Sequence, residues 1–216
     1  MRMRIGIMGG MFDPVHLGHT TVARNACDFL DLDHVRLVPC GVPNHRDLTL
    51  CSAEQRLDML QLATRDHTRL VVDDREVRRA GTSYTVDTLS ELQAEFPGSD
   101  LYFILGSDAF STLDRWHRWR QLFELCHFIV IRRPGFSDSP GADLEEAVKG
   151  RRVTDRARLF AAQSGLVFQM PGLDSPMSSS LVRQRIDSNQ PLDNLLDPAV
   201  AHYLRQHQLY RNAVTH

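Results

Sequence analysis

Short apolar runs alternate with longer amphipathic runs along most of the chain. A short apolar run predicts a buried strand, and an amphipathic run with a 3.6-residue period predicts a helix. The predicted strands are Arg4–Met8, Val35–Val38, Leu70–Val72, Leu101–Leu105 and His127–Ile131. Strands and helices that alternate in this way are typical of βαβ units, so we predict an α/β fold with a doubly wound, Rossmann-like parallel sheet.

The helices between these strands are predicted by their apolar stripes and end signals. Ser52 followed by Gln55 forms a capping box at the start of one helix, and Pro39 is expected to stop the second strand. The acidic stretch 135–150 is predicted to be a loop. The other predicted helices are Gly18–Leu30, Thr85–Phe96, Ser179–Ile186 and Pro198–Gln208. We therefore expect one domain over residues 1–216, with a C-terminal helical portion at about 178–210.

Composition narrows the class of protein. The 216 residues are 42% hydrophobic and 24% charged, and the formal net charge is −2. This is enough apolar material for a sizeable core. A nearly neutral chain offers no broad basic surface, so nucleic acid is not expected as a main partner. Any bound polyphosphate must be held by a few local cations and backbone amides.

The cysteines and the N-terminus indicate where the protein works. Cys27, Cys40, Cys51 and Cys126 contain no C-x-x-C pair, so we expect reduced thiols, most of them buried. The segment Met1–Met8 is too short and too charged for a signal peptide, and no apolar run approaches membrane-spanning length. We expect a cytoplasmic protein that does not enter a membrane.

The first chemical motif follows the first predicted strand directly. Gly9 and Gly10 let backbone amides approach a ligand closely, because neither carries a Cβ. His16 and His19 are three residues apart at the start of a helix, so both rings can face one spot. That spot lies at the positive end of the helix, which favours an anion.

The alternative to a phosphate site here is a glycine turn with two satisfied surface histidines. Phe12, Pro14 and Gly18 also stand in this segment, and the combination after a strand favours function.

The second motif is Met177–Arg183. Hydroxyl groups at a helix start can cap the helix while its free amides bind phosphate. Arg183 lies one turn further on and can contact the same anion through two N–H groups. A plain helix cap with a solvated arginine is an equally good reading of this segment alone.

Together, the two motifs resemble those of the nucleotidyltransferase superfamily. The segment from Gly9 to His19 is similar to its H-x-G-H signature, and Met177–Arg183 to its I-S-S-T-x-I-R triphosphate motif, with Met177, Ser180 and Val182 as departures. The shared reaction is attack on the α-phosphorus of a nucleoside triphosphate, with pyrophosphate leaving. The chain has no K-M-S-K-S-like segment, which argues against a class I aminoacyl-tRNA synthetase.

Further segments resemble the nicotinate mononucleotide adenylyltransferases of that superfamily. These are Pro43–Arg46, Gly81–Leu89, Arg115–Trp119, Phe103–Asp108 and Ile131–Gly135. The resemblance implies that backbone groups at Thr85 and Val86 meet the nicotinate carboxylate and that Trp116 lies against the pyridine ring. It implies that Gly106 and Asp108 lie near the adenosine; a helix cap is the alternative for Asp108. Trp119 is expected to be an ordinary core residue.

The residues and the resemblance together define a predicted site. The predicted catalytic residues are His16, His19 and Arg183. The predicted ATP-binding residues are Gly9, Gly10, Phe12, Gly18, Gly106, Asp108, Ser179 and Arg183. The predicted nicotinate mononucleotide-binding residues are His45, Tyr84, Thr85, Val86, Trp116 and Arg133.

The implied reaction is transfer of AMP from ATP to nicotinic acid mononucleotide, giving the deamido dinucleotide and pyrophosphate for NAD biosynthesis. Mg²⁺ is expected to arrive with ATP, since it prefers phosphate oxygens and water to a protein cage, and no protein ligands are assigned to it. A phosphopantetheine adenylyltransferase and a non-catalytic nucleotide-sensing module are the alternatives. The sequence does not give the oligomeric state.

Overall fold

The fold is organised around one parallel sheet. The computed structural model describes residues 2–43, 49–132, 140–172 and 177–211. The strands in it are β1 (Arg4–Gly10), β2 (His34–Pro39), β3 (Leu70–Val72), β4 (Asp100–Gly106), β5 (His127–Ile131), β6 (Arg152–Val153) and β7 (Val167–Met170). Their order is β3-β2-β1-β4-β5-β7-β6, and every neighbouring pair is parallel. The prediction of a doubly wound, Rossmann-like α/β fold is confirmed.

Helices cover both faces of the sheet. They are α1 (Leu17–Phe29), α2 (Ala53–Thr64), α3 (Arg75–Arg78), α4 (Thr85–Glu95), α5 (Ser107–Phe110), α6 (Trp119–Leu125), α7 (Ala142–Val148), α8 (Arg156–Ala161), α9 (Ser179–Asp187) and α10 (Pro198–Gln206). A 3₁₀ turn, Leu113–Arg115, precedes α6. No helix among the described residues combines the length and the apolar character that crossing a membrane requires.

Two apolar clusters form the core, one on each side of the sheet. The first joins α1, α2, α9 and α10 to one sheet face, with Met59 and Val182 among its members. The second joins α4, α6 and α7 to the other face, with Leu89 and Leu122 among its members. Alternation along the strands divides the side chains between the two clusters, as strand geometry requires.

The structure corrects one predicted loop and the C-terminal ends of three strands. The stretch 135–150 is not all loop, because α7 occupies 142–148 and buries Leu144 and Val148. β1 continues past the predicted end to Gly10, β4 continues to Gly106, and β2 includes Pro39, which lies opposite Gly10. The capping box of α2 is confirmed, with Ser52 and Gln55 exchanging side chain-to-backbone hydrogen bonds.

The described cysteines are all free thiols. Cys27, Cys51 and Cys126 are buried, and Cys40 is half-buried. The prediction of reduced and mostly buried thiols is confirmed.

Candidate active site

A cleft opens where the two central strands separate. The register of β1 with β4 runs from Arg4–Asp100 to Ile7–Phe103. Beyond that point β1 continues beside β2 as far as Gly10, and β4 continues beside β5 as far as Gly106. The strand order also reverses between β1 and β4, and in doubly wound sheets ligands bind at such a switch point, beyond the carboxyl ends of the strands.

The loop from β1 to α1 places the two predicted histidines together at this cleft. His16 is the N-cap residue of α1, and its backbone N–H donates to Nδ1 of His19 at 3.2 Å. The centroids of the two rings are 3.7 Å apart. Phe12, in the left-handed region at φ 49°, presents its ring edge-to-face with His19 at 5.0 Å. The loop therefore holds both imidazoles at the positive end of α1.

Gly18 has a packing role in this arrangement. A Cβ at Gly18 would lie 2.8 Å from Nδ1 of His16. Any side chain there would displace the imidazole, which is buried at 8% exposure. Gly9 differs, because among the described residues a Cβ there would meet only Phe103, at the ordinary distance of 3.8 Å. The described part of the chain therefore leaves space in front of Gly9, as a backbone site for a ligand needs.

The second motif contacts the first across more than 160 residues of sequence. Ser178 caps α9 by accepting from the N–H of Leu181 at 3.1 Å. The hydroxyl of Ser179 donates to the carbonyl of Pro14 at 2.9 Å, and Nη1 of Arg183 donates to the carbonyl of Asp13 at 2.7 Å. The start of α9 thus lies against the loop between β1 and α1 (residues 11–16), which we call the histidine loop. It brings a hydroxyl group and a guanidinium to that loop.

Three of the predicted acceptor-binding residues lie at the start of α4. Tyr84 is the N-cap residue of this helix, so Thr85 and Val86 form its first turn. The first N–H groups of a helix have no partner within it and are available to an anion. The Tyr84 ring lies 4.3 Å from that of His117, an exposed residue that the sequence analysis did not select.

Phe103 of β4 lies close to both Trp116 and Gly9. Half-buried Trp116 makes an edge-to-face contact with Phe103 at 6.1 Å, and a Cβ at Gly9 would lie 3.8 Å from the Phe103 ring. Trp119 is buried in the core, as predicted. Trp116 and Gly9 are therefore both neighbours of one aromatic ring of β4.

The remaining predicted residues divide into two groups. Gly106 ends β4 and is the N-cap residue of α5, and Asp108 lies in the first turn of that helix, half-buried. His45 and Arg133 lie outside the described residues. Among the described residues, no group of three or more His, Cys, Asp and Glu side chains is placed to hold a metal ion.

Arg56 is a buried cation that the sequence analysis missed. It is 1% exposed, and its guanidinium donates to the carbonyl oxygens of Met11 at 2.8 Å, Cys40 at 2.6 Å and Gly41 at 3.2 Å. These acceptors belong to the loops that follow β1 and β2, so one side chain holds both loops. A signal was present, because Arg56 precedes buried Met59 and Leu60 by three and four positions on the apolar stripe of α2.

A buried carboxyl group supports the segment that precedes α4. The hydroxyl of Thr88 donates to Glu76 at 2.6 Å, and burial raises the pKa of Glu76. Next to it, Ser83 donates its N–H to Val42 at 2.8 Å and accepts from the N–H of Gly41 at 3.2 Å. These two hydrogen bonds join the loop after β2 to the segment before α4.

Comparisons with known proteins agree with this geometry. The cytidylyltransferase-like family model matches residues 7–185. A probable nicotinate-nucleotide adenylyltransferase of Chromobacterium violaceum is 43% identical over 216 residues, covering 98% of this chain and 100% of the relative. A relative of the same name from Cellvibrio japonicus is 41% identical over 212 residues, with 98% and 100% covered.

A solved structure shares the fold. The Plasmodium falciparum nicotinic acid mononucleotide adenylyltransferase complexed with NaAD superposes with a TM-score of 0.73 at 20% identity, covering 97% of this chain and 98% of that one. Identity of about 40% over nearly the full length of several relatives shows kinship in sequence as well as in fold. The chain therefore belongs to the cytidylyltransferase-like family and, within it, to the nicotinate-nucleotide adenylyltransferases.

Proposed function

We propose that this enzyme transfers AMP from ATP to nicotinic acid mononucleotide. A phosphate oxygen of the mononucleotide attacks the α-phosphorus of ATP in line. The bond from the α-phosphorus to the bridging oxygen breaks, and pyrophosphate leaves with the electron pair. The attacking phosphate is already an anion, so no general base is needed, and catalysis consists of orientation and charge stabilisation.

The observation that carries the proposal is the convergence of His16, His19 and Arg183 beside the cleft between β1 and β4. We assign the α-phosphate region to the two imidazoles, which can both donate hydrogen bonds when protonated. Arg183 and Ser179 are assigned to the outer phosphates, where a guanidinium and a helix start are suited to bind oxygen anions. Gly9 supplies space for the nucleotide, whereas a Cβ at Gly10 would lie 3.3 Å from the ring of Phe12, which fills that side of the loop.

The remaining assignments concern the end of β4, the start of α4 and Trp116. Gly106 and Asp108, at the end of β4, are assigned to the adenosine, and the first turn of α4 to the nicotinate carboxylate. Trp116 supplies the flat apolar surface for the pyridine ring. Mg²⁺ enters as part of the MgATP substrate, bound by phosphate oxygens and water.

Pyrophosphate release tests the proposal directly. The purified chain is given MgATP with nicotinic acid mononucleotide, with nicotinamide mononucleotide, with phosphopantetheine, or with no acceptor. We expect pyrophosphate release with nicotinic acid mononucleotide. Release with phosphopantetheine alone would transfer the assignment to that acceptor, and ATP binding without turnover on any acceptor would indicate a nucleotide-sensing module.

The acid and amide mononucleotides discriminate the acceptor site further. Backbone N–H groups at the start of α4 would all donate to a carboxylate, whereas the NH₂ of the amide would meet them donor against donor and leave buried groups unpaired. A site built on such hydrogen bonds rejects the mismatched analogue by up to roughly 10⁴, and we expect at least about a hundredfold preference in kcat/KM for the acid. Equal kcat/KM values for the acid and the amide would contradict the assignment of the nicotinate carboxylate to the start of α4.

A further inference from the structure

Asp13, in the loop between β1 and α1, is held by two other segments of the chain. Its carboxylate is buried, at 7% exposure for the residue. Oδ1 accepts from the hydroxyl of Tyr210 at 2.5 Å, and Oδ2 accepts from the backbone N–H of Leu50 at 3.0 Å. The C-terminal segment and the segment before α2 therefore meet at one carboxylate of the histidine loop.

The same residue is in direct contact with the proposed phosphate-binding residues. The backbone carbonyl of Asp13 accepts from Arg183, and the next carbonyl along, that of Pro14, accepts from Ser179. His16 follows Asp13 by three residues. If Asp13 shifts, the carbonyl oxygen that orients Arg183 therefore shifts with it, and so does the loop that carries His16.

Tyr210 is built into the protein although it follows the last helix. It is 5% exposed, and its backbone lies in the left-handed region at φ 62°, an unfavourable conformation for a bulky residue. Burial and the neighbouring Asp13 raise the pKa of Tyr210, so its phenol keeps its proton and donates to the carboxylate. Burial likewise raises the pKa of Cys51, beside Asp13 and Tyr210, to about 11. The phenol and the thiol beside Asp13 therefore both keep their protons.

We propose that Tyr210 is a positioning residue for the histidine loop. Its hydroxyl fixes Asp13, and Asp13 fixes the carbonyl acceptors of Arg183 and Ser179. The C-terminal segment is then a functional part of the active site, without touching substrate. This inference rests on the proposed roles of His16, His19 and Arg183.

The test compares Tyr210→Phe with a matched control, Tyr203→Phe. Both substitutions keep the ring and remove one hydroxyl from the C-terminal helical portion. The hydroxyl of Tyr203 donates to Asp58 of α2 at 2.9 Å, whereas that of Tyr210 donates to Asp13. A hydrogen bond to a charged group is among the stronger ones, so we expect Tyr210→Phe to lower kcat/KM for ATP roughly tenfold. The KM for the mononucleotide should change by less than about twofold, and Tyr203→Phe should leave both constants near their wild-type values.

A double-mutant cycle with Asp13→Ala, which removes the acceptor of the Tyr210 hydroxyl, shows whether Tyr210 acts through Asp13. If it does, the double variant is no slower than Asp13→Ala alone, because the contact is already broken. Additive losses, a Tyr210→Phe enzyme with wild-type kcat/KM, or an equal loss in Tyr203→Phe would overturn the inference. If Asp13→Ala does not fold, the comparison of the two tyrosine variants still decides. A wild type that releases no pyrophosphate would refute the proposed function instead.

Discussion

His16 and His19 differ in how each imidazole is held. His16 is buried, and its ring fills the space that Gly18 leaves open. His19 is half-buried and accepts the N–H of His16 at Nδ1, so a neutral His19 carries its proton on Nε2. That N–H is the donor that we assign to the α-phosphate.

Replacing His19 with alanine tests this assignment at the residue scale. A donor that acts mainly in the transition state typically contributes about 10²–10³ in rate, so His19→Ala should lower kcat by that factor. Its effect on the dissociation constant of ATP, measured by calorimetry, should be far smaller. His202→Ala, on the exposed surface of α10, is the control and should turn over normally. Near-normal turnover by His19→Ala would remove His19 from the catalytic group.

Residues within one motif could be predicted from the sequence, whereas residues defined by contacts between segments could not. His16, His19 and Arg183 stand at fixed spacings in two short segments, and the structure brings them to one place. Tyr210 contributes through a partner 197 residues away. No local pattern marks such a hydrogen bond, because it depends on how the C-terminal segment packs.

Local signals also determined which elements the sequence could predict. The capping box of α2 lies at the predicted residues, and β5 has the predicted bounds. In both cases the signal lies in the residues of the element itself. Helix α7 was missed because its seven residues carry acidic side chains next to glycines. Its stability comes instead from burial of Leu144 and Val148 against the rest of the protein.

The caps of α2 and α9 allow a prediction at the scale of the element. Ser52 and Ser178 each accept a backbone N–H in the first turn of their helix, at 3.2 Å and 3.1 Å. Ser52→Ala and Ser178→Ala should each lower the free energy of unfolding by about 1 kcal/mol, as measured by urea denaturation. Only Ser178→Ala should also raise the KM for ATP, by several-fold, because α9 alone of the two begins at the proposed triphosphate site. A similar KM in both variants would contradict that placement.

At the scale of the whole molecule, the sheet topology determines where the site lies. Alternating strands and helices predict a doubly wound sheet with its ligand at the carboxyl ends of the strands. The strand order of the structure then places the switch point between β1 and β4. The early end of the β1–β4 pairing at Ile7 and Phe103 could not be predicted, because both strands continue as apolar runs beside other partners. The opening of the cleft is therefore a property of the assembled sheet.

The stability of the whole molecule should depend on buried histidines. His127 is fully buried in β5, where Nδ1 accepts the N–H of Leu166 and Nε2 lies 3.3 Å from the carbonyl of Ala162. Burial lowers the pKa of His127, and burial also lowers that of half-buried His34. Below about pH 6.5 the unfolded chain therefore binds more protons at these residues than the folded chain does.

The free energy of unfolding should consequently fall as the pH drops below about 6.5, with a slope of at most about 1.4 kcal/mol per pH unit for each histidine. Urea denaturation between pH 7.5 and 5.5 measures that slope. His127→Gln keeps an acceptor for Leu166 but does not titrate, so it should flatten the slope even if it lowers stability at every pH. His202→Gln removes an exposed histidine and should leave the slope as in the wild type. A wild-type slope that persists in His127→Gln would show that other groups cause the acid sensitivity, since only the titration of His127 distinguishes the two proteins.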